Sequence, residues 1–76
     1  MDINAFRKVA KFRFEGDGRW WCLIDDMRFC YVIGGNRTYM AERSTRSSIY
    51  PNKASFGPAK TKLEAAWLAY RDSHTK

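Results

Sequence analysis

Basic and aromatic side chains alternate along the first quarter of the chain. Arg7, Lys11 and Arg13 share one parity, Phe6, Phe12 and Phe14 the other, and Arg19-Trp20-Trp21 follows directly. Cations neutralise phosphates, and flat rings stack on bases, so this interleaving suits contact with the backbone of single-stranded or duplex nucleic acid. Adjacent residues of a strand point to opposite faces, so either Trp20 or Trp21 must lie away from whatever covers the sheet. That ring is expected to stack on a base, anchor a protein contact or pack under a loop, with Arg7, Lys11, Arg13 and Arg19 as a basic stripe beside it. A second basic segment runs from Arg43 to Lys62, where Arg43, Arg46, Lys53, Lys60 and Lys62 occur without any acid.

The chain as a whole carries 14 Lys and Arg against 8 Asp and Glu, a formal charge of +6. Residues 1–38 contribute +2 and residues 39–76 contribute +4. A field of this sign concentrates polyanions near the surface and speeds their encounter. It also keeps a small protein soluble, which is the plainer use of such charge.

Catalytic chemistry is harder to assemble. The one histidine, His74, is the third residue from the end of the sequence, where chains fray. A zinc site would need Cys22, Cys30, His74 and a carboxylate, a set without any closely spaced ligand pair. Glu15, Asp17, Asp25 and Asp26 fall in two turns at opposite ends of one strand, too far apart to share a proton or a pair of metals. Asn36-Arg37-Thr38 matches a glycosylation sequon but fits a hairpin turn. The chain is therefore expected to be a non-enzymatic binder with no cofactor and no metal.

The elements that position these groups follow from the hydrophobic pattern. Alternation predicts a strand over 9–14, and residues 3–8 suit either its continuation or a short helix capped by Asp2. Glu15-Gly16-Asp17-Gly18 predicts a hairpin turn into a strand over 19–24. Asp25 to Arg28 turns the chain again into Phe29–Ile33. Gly34-Gly35-Asn36 marks a third turn before a strand over 37–41. The stretch 42–60 is rich in Ser, Asn, Gly and Pro, and a loop of that length either hides an edge strand near Ser48–Tyr50 or has a function. Thr61-Lys62-Leu63-Glu64 is a capping box, followed by Leu63, Ala66, Trp67 and Tyr70 at the spacing of one helix face. The fold class expected is α+β, an antiparallel meander of three to four strands covered on one face by a C-terminal helix. The binding surface would join the loop at 43–60 to the solvent face of the first two strands.

Size and composition agree with one domain over 1–76, because a chain this short cannot divide its apolar surface between two cores. Aromatic residues make up 16% of it, and each ring removes about 150–250 Å² from water when buried. No apolar run reaches the length of a membrane span, and residues 1–10 lack a signal-peptide core. With two cysteines only, a cytoplasmic location is expected, with Cys22 and Cys30 as buried thiols. A three-residue hairpin loop between them would set them opposite each other, within reach of a disulfide. A four-residue loop would set them on opposite faces.

Three or four meandering strands followed by the helix beginning Thr61-Lys62-Leu63-Glu64-Ala65-Ala66 loosely resemble the small DNA-binding domains of the plant AP2 and phage-integrase N-terminal type. Such a resemblance implies a sheet face that enters the major groove, although their Trp and Arg pattern does not align here and the long loop departs from them. In its size, turn-rich strands and closing Leu-Glu-Ala-Ala-Trp helix, the chain also looks like small phage-encoded accessory proteins, including anti-CRISPR inhibitors. The partner implied by the first resemblance is nucleic acid. That implied by the second is an acidic host protein or nucleoprotein complex, blocked by steric docking.

Overall fold

Asp2 decides the conformation of the N-terminal segment. Its carboxylate accepts a hydrogen bond from the Ala5 amide at 2.8 Å, and helix α1 runs from Ile3 to Val9. This cap satisfies one of the free N–H groups that a helix start exposes. The computed structural model describes residues 2–45 and 52–73. After α1 come strands β1 (Ala10–Gly16), β2 (Arg19–Ile24), β3 (Met27–Gly35), β4 (Thr38–Thr45) and β5 (Asn52–Ala59), then helix α2 (Lys62–Ser73). The fold is α+β, a five-stranded antiparallel meander in the order β1-β2-β3-β4-β5, with α2 packed on it.

Val9, expected to open the first strand, is instead the last residue of α1, because the helix started at Asp2 continues until the backbone turns extended at Ala10, whose N–H still donates to the Phe6 carbonyl. The three hairpins β1–β2, β2–β3 and β3–β4 turn at Asp17-Gly18, Asp25-Asp26 and Asn36-Arg37, each pair with positive φ at both residues. This is the backbone that a two-residue turn needs to match the strands' twist. Gly34-Gly35, expected in the third turn, belongs to β3. Gly34 sits there at φ +155°, where a Cβ would overlap the Thr38 carbonyl oxygen and lie 2.8 Å from the Tyr39 Cα. Only a glycine lets β3 and β4 approach this closely.

The largest correction concerns the basic stretch. Residues 42–45 extend β4, and 52–59 form a fifth strand paired with it, so most of the expected loop is sheet. The edge strand expected near Ser48–Tyr50 lies outside the described residues. β5 accommodates its Pro by a bulge, in which Gly57 and Pro58 stand between the pairs Tyr39↔Ala59 and Ala41↔Phe56, with a cis peptide between them. A proline cannot donate to a ladder, and an edge strand with a bulge tolerates that.

The core lies between sheet and helices. Thr61 caps α2, its Oγ1 accepting from the Glu64 amide at 3.0 Å. Ala65, Ala66 and Ala69 are fully buried against the sheet with Cys22, Cys30, Val32 and Ala41. Leu63, Trp67 and Tyr70, expected to share the central face of the helix with Ala66, flank it half-buried. Small side chains let the helix lie close to the strands, while Trp67 and Tyr70 reach sideways to Phe6 of α1, at ring distances of 5.7 and 5.0 Å. Phe6 is fully buried, so both helices occupy the same side of the sheet.

Candidate functional site on the uncovered sheet face

With α1 and α2 on one side, none of the described elements packs on the other face of the sheet. Its composition follows from the register. Lys11 pairs with Leu23 and Leu23 with Arg28; Arg13 pairs with Trp21, Trp21 with Tyr31 and Tyr31 with Glu42; Arg19 pairs with Ile33 and Ile33 with Met40. Three cross-strand rows result, and neighbours within a row are close enough to interact. Lys11, Arg13, Arg19 and Arg28 are exposed at one side of the rows or across them, and Trp21 and Tyr31 lie half-buried at the centre.

The indole of Trp21 is held on two sides. Its ring lies 4.7 Å from that of Tyr31, and the Arg28 guanidinium sits 4.8 Å from its centroid. A cation over an indole gains about 0.5–1 kcal/mol at an exposed site, enough to bias the side chain's position without fixing it. Arg13 reaches Glu15 at 3.9 Å, but with the arginine 66% exposed this pair leaves its charge largely available to a ligand.

The expected site residues divide between the faces. Lys11, Arg13, Arg19 and Trp21 come together as the stripe that alternation implied, with Trp21 as the ring turned away from the helices. Trp20 does not join them: it packs on the helix side between Phe14 and Tyr39, under the Lys62 ammonium at 4.6 Å. Arg7 is exposed on α1, in the layer that covers the opposite face, because its segment is helix and not strand. Lys60 is exposed in the short link before α2. Lys53 belongs to β5 opposite Ser44, and Arg46 lies outside the described residues. Arg43 is no loop residue. It sits in β4, its guanidinium 5.8 Å from the Phe29 ring and its Nε buried without a hydrogen-bond partner among the described residues. A buried donor left unpaired costs about 1–3 kcal/mol.

Arg28, Tyr31 and Glu42 were not foreseen. Arg28, expected in a turn, is already in β3, because that turn has only two residues. Position-by-position alternation then fails at a β-bulge: Leu23 pairs with Arg28 and Cys22 with Cys30, leaving Phe29 as the extra residue. This bulge, rather than a three-residue loop, sets the cysteines opposite each other. Both are free, buried thiols joined by a hydrogen bond, which together with burial pushes the Cys30 thiol far above its ordinary range.

Past Tyr31↔Glu42 the sheet forks. The first residues of β3 stay with β2 as far as Ile24↔Met27, while the end of β4 stays with β5 as far as Thr45↔Asn52. A cleft of about 790 Å³ occupies the fork, lined by Glu15, Trp21, Arg28, Phe29, Cys30, Tyr31, Glu42 and Arg43. Among the described residues no group of three or more His, Cys, Asp and Glu is placed to hold a metal ion, and no helix is long and apolar enough to cross a membrane. His74, weighed and set aside as a zinc ligand from the sequence, lies outside the described residues. No family model matches this chain, and neither a curated protein nor a solved structure matches it.

Proposed function

We propose that this domain binds nucleic acid, without catalysis, through the uncovered face of its sheet. The observation that carries the proposal is the grouping of Lys11, Arg13, Arg19 and Arg28 around the Trp21–Tyr31 pair on that face. Cations supply the sequence-independent attraction to phosphates, and partly exposed rings offer stacking platforms that every base can use. An acidic protein groove would meet the same cations. The central aromatic pair, set among them and not on a separate apolar patch, favours the nucleic acid.

The salt dependence of binding tests this. Each neutralised phosphate adds about 0.7–0.9 to the slope of log affinity against log salt, so four cations give a slope near −3. Affinity for a fluorescent oligonucleotide, followed by anisotropy, should fall about 50- to 150-fold between about 50 and 200 mM salt. Absence of binding at the lower salt would dismiss the proposal.

A further inference from the structure

The fork between β3 and β4 holds chemistry that phosphate contacts leave unused. Glu42 stands in the same row as Arg13, Trp21 and Tyr31, and a carboxylate there repels a phosphate. Arg43 presents a buried Nε–H that lacks an acceptor among the described residues. Both line one cleft with Trp21, Tyr31 and Arg28, whose flat groups suit stacking, and its volume of about 790 Å³ admits an aromatic ring system. We infer that this cleft is a pocket for one unstacked nucleobase of a single strand, with guanine preferred, an inference that rests on the sheet face being a nucleic-acid interface.

The choice of base follows from the donors and acceptors. A carboxylate offers two acceptor oxygens side by side. Guanine alone among the common bases presents a ring N–H beside an exocyclic amino group on its pairing edge, so Glu42 can accept both hydrogens. A carbonyl oxygen or ring nitrogen of the same base supplies the acceptor that Arg43 lacks. A duplex hides this edge in base pairing, whereas unpaired bases can be splayed out and read on it. The cations on β1 and β2 would then hold the phosphates on either side of the inserted base.

Anisotropy titrations with single-stranded thymidine oligomers of about 12 nucleotides test the pocket, a length within the range that small single-strand-binding folds cover. Replacing one central thymidine by guanosine should tighten binding about 5- to 150-fold, the worth of one good bidentate contact. An abasic position there should bind more weakly than either base, and the guanosine oligomer annealed to its complement should lose the advantage. Glu42→Gln should abolish the preference for guanosine while keeping or raising affinity for the all-thymidine strand. Equal, salt-dependent binding of the thymidine, guanosine and abasic strands would overturn the pocket and leave the nucleic-acid interface standing. No binding of any strand at about 50 mM salt would overturn both. Poly-glutamate binding as tightly as the guanosine strand would also overturn the pocket, in favour of an acidic polypeptide partner.

Discussion

Phe6 is the side chain on which the helical layer depends, and Phe6→Ala measures that dependence. Its ring is fully buried and touches both Trp67 and Tyr70, so truncation removes the apolar contact and leaves a cavity between α1 and α2. Substitutions of this type cost about 3–5 kcal/mol, of which the two aromatic pairs account for roughly 1–3. A domain of 76 residues has a total stability of about 4–11 kcal/mol. The substitution therefore consumes a large share of it, and at about 4–8 °C per kcal/mol the thermal midpoint should drop by at least about 12 °C. Trp67→Ala, at a half-buried position, should drop it by less. Circular dichroism melts of the parent, both variants and Val9→Ala, an exposed control, read the order directly. A Phe6→Ala midpoint within about 3 °C of the parent, well under the shift for 1 kcal/mol, would refute the packing of α1 on α2 and return the N-terminal segment to an unanchored state.

Two other sites give contrasting outcomes. Gly34→Ala should lose at least about 2 kcal/mol in urea unfolding, because the new Cβ meets the β4 backbone at a φ that L residues avoid, whereas Gly35→Ala, with open space around it, should stay within about 0.5 kcal/mol. Equal midpoints for the two would contradict the close approach of β3 and β4. Cys30 stays protonated in the fold above the ordinary thiol value of 9.0, so its contribution is fully present below that pH and declines above it, as the unfolded chain releases a proton that the folded chain retains. Urea midpoints of the parent should therefore fall more steeply above about pH 9 than those of a double variant, Cys22→Ala with Cys30→Ala, that removes both members of the hydrogen-bonded pair, and parallel curves would refute the buried thiol pair.

Much of the architecture could be derived from local chemistry. Glycine- and aspartate-rich segments between alternating runs marked three hairpins, within a residue or two of the turns themselves, and Thr61 with Glu64 marked the start of α2. Alternation placed Lys11, Arg13 and Arg19 in a stripe beside one of the two tryptophans, and the pairs from Ala10↔Ile24 to Phe14↔Trp20 keep that pattern, but it left open which tryptophan and wrongly added Arg7, which is in α1. What escaped depends on distant pairing. Ser, Asn, Gly and Pro over 42–60 signal a loop locally, but pairing of β5 with β4 outweighs those propensities. The bulge at Phe29 leaves no mark in composition, yet it brings Tyr31 onto the face that already carries Arg28, beside the cleft lined by Glu42 and Arg43. Helix geometry erred for a related reason, since α2 must satisfy both the sheet and Phe6, and three alanines rather than the aromatic residues fit the closer contact.

The claim that the uncovered sheet face, and not net charge at large, binds nucleic acid is tested most directly by two variants of equal charge. One carries Lys11→Gln, Arg13→Gln and Arg19→Gln on the sheet face; the other carries Arg7→Gln, Lys8→Gln and Lys60→Gln, all exposed but on α1 or before α2. Anisotropy titrations of a single-stranded oligonucleotide over a range of salt should show the first variant with a log-log slope shallower by about 2–2.7 and a large loss of affinity at low salt. The second should keep a slope within about 0.7 of the parent's, less than one phosphate contact. Equal losses in the two variants, or a greater loss in the second, would contradict the assignment of binding to this face.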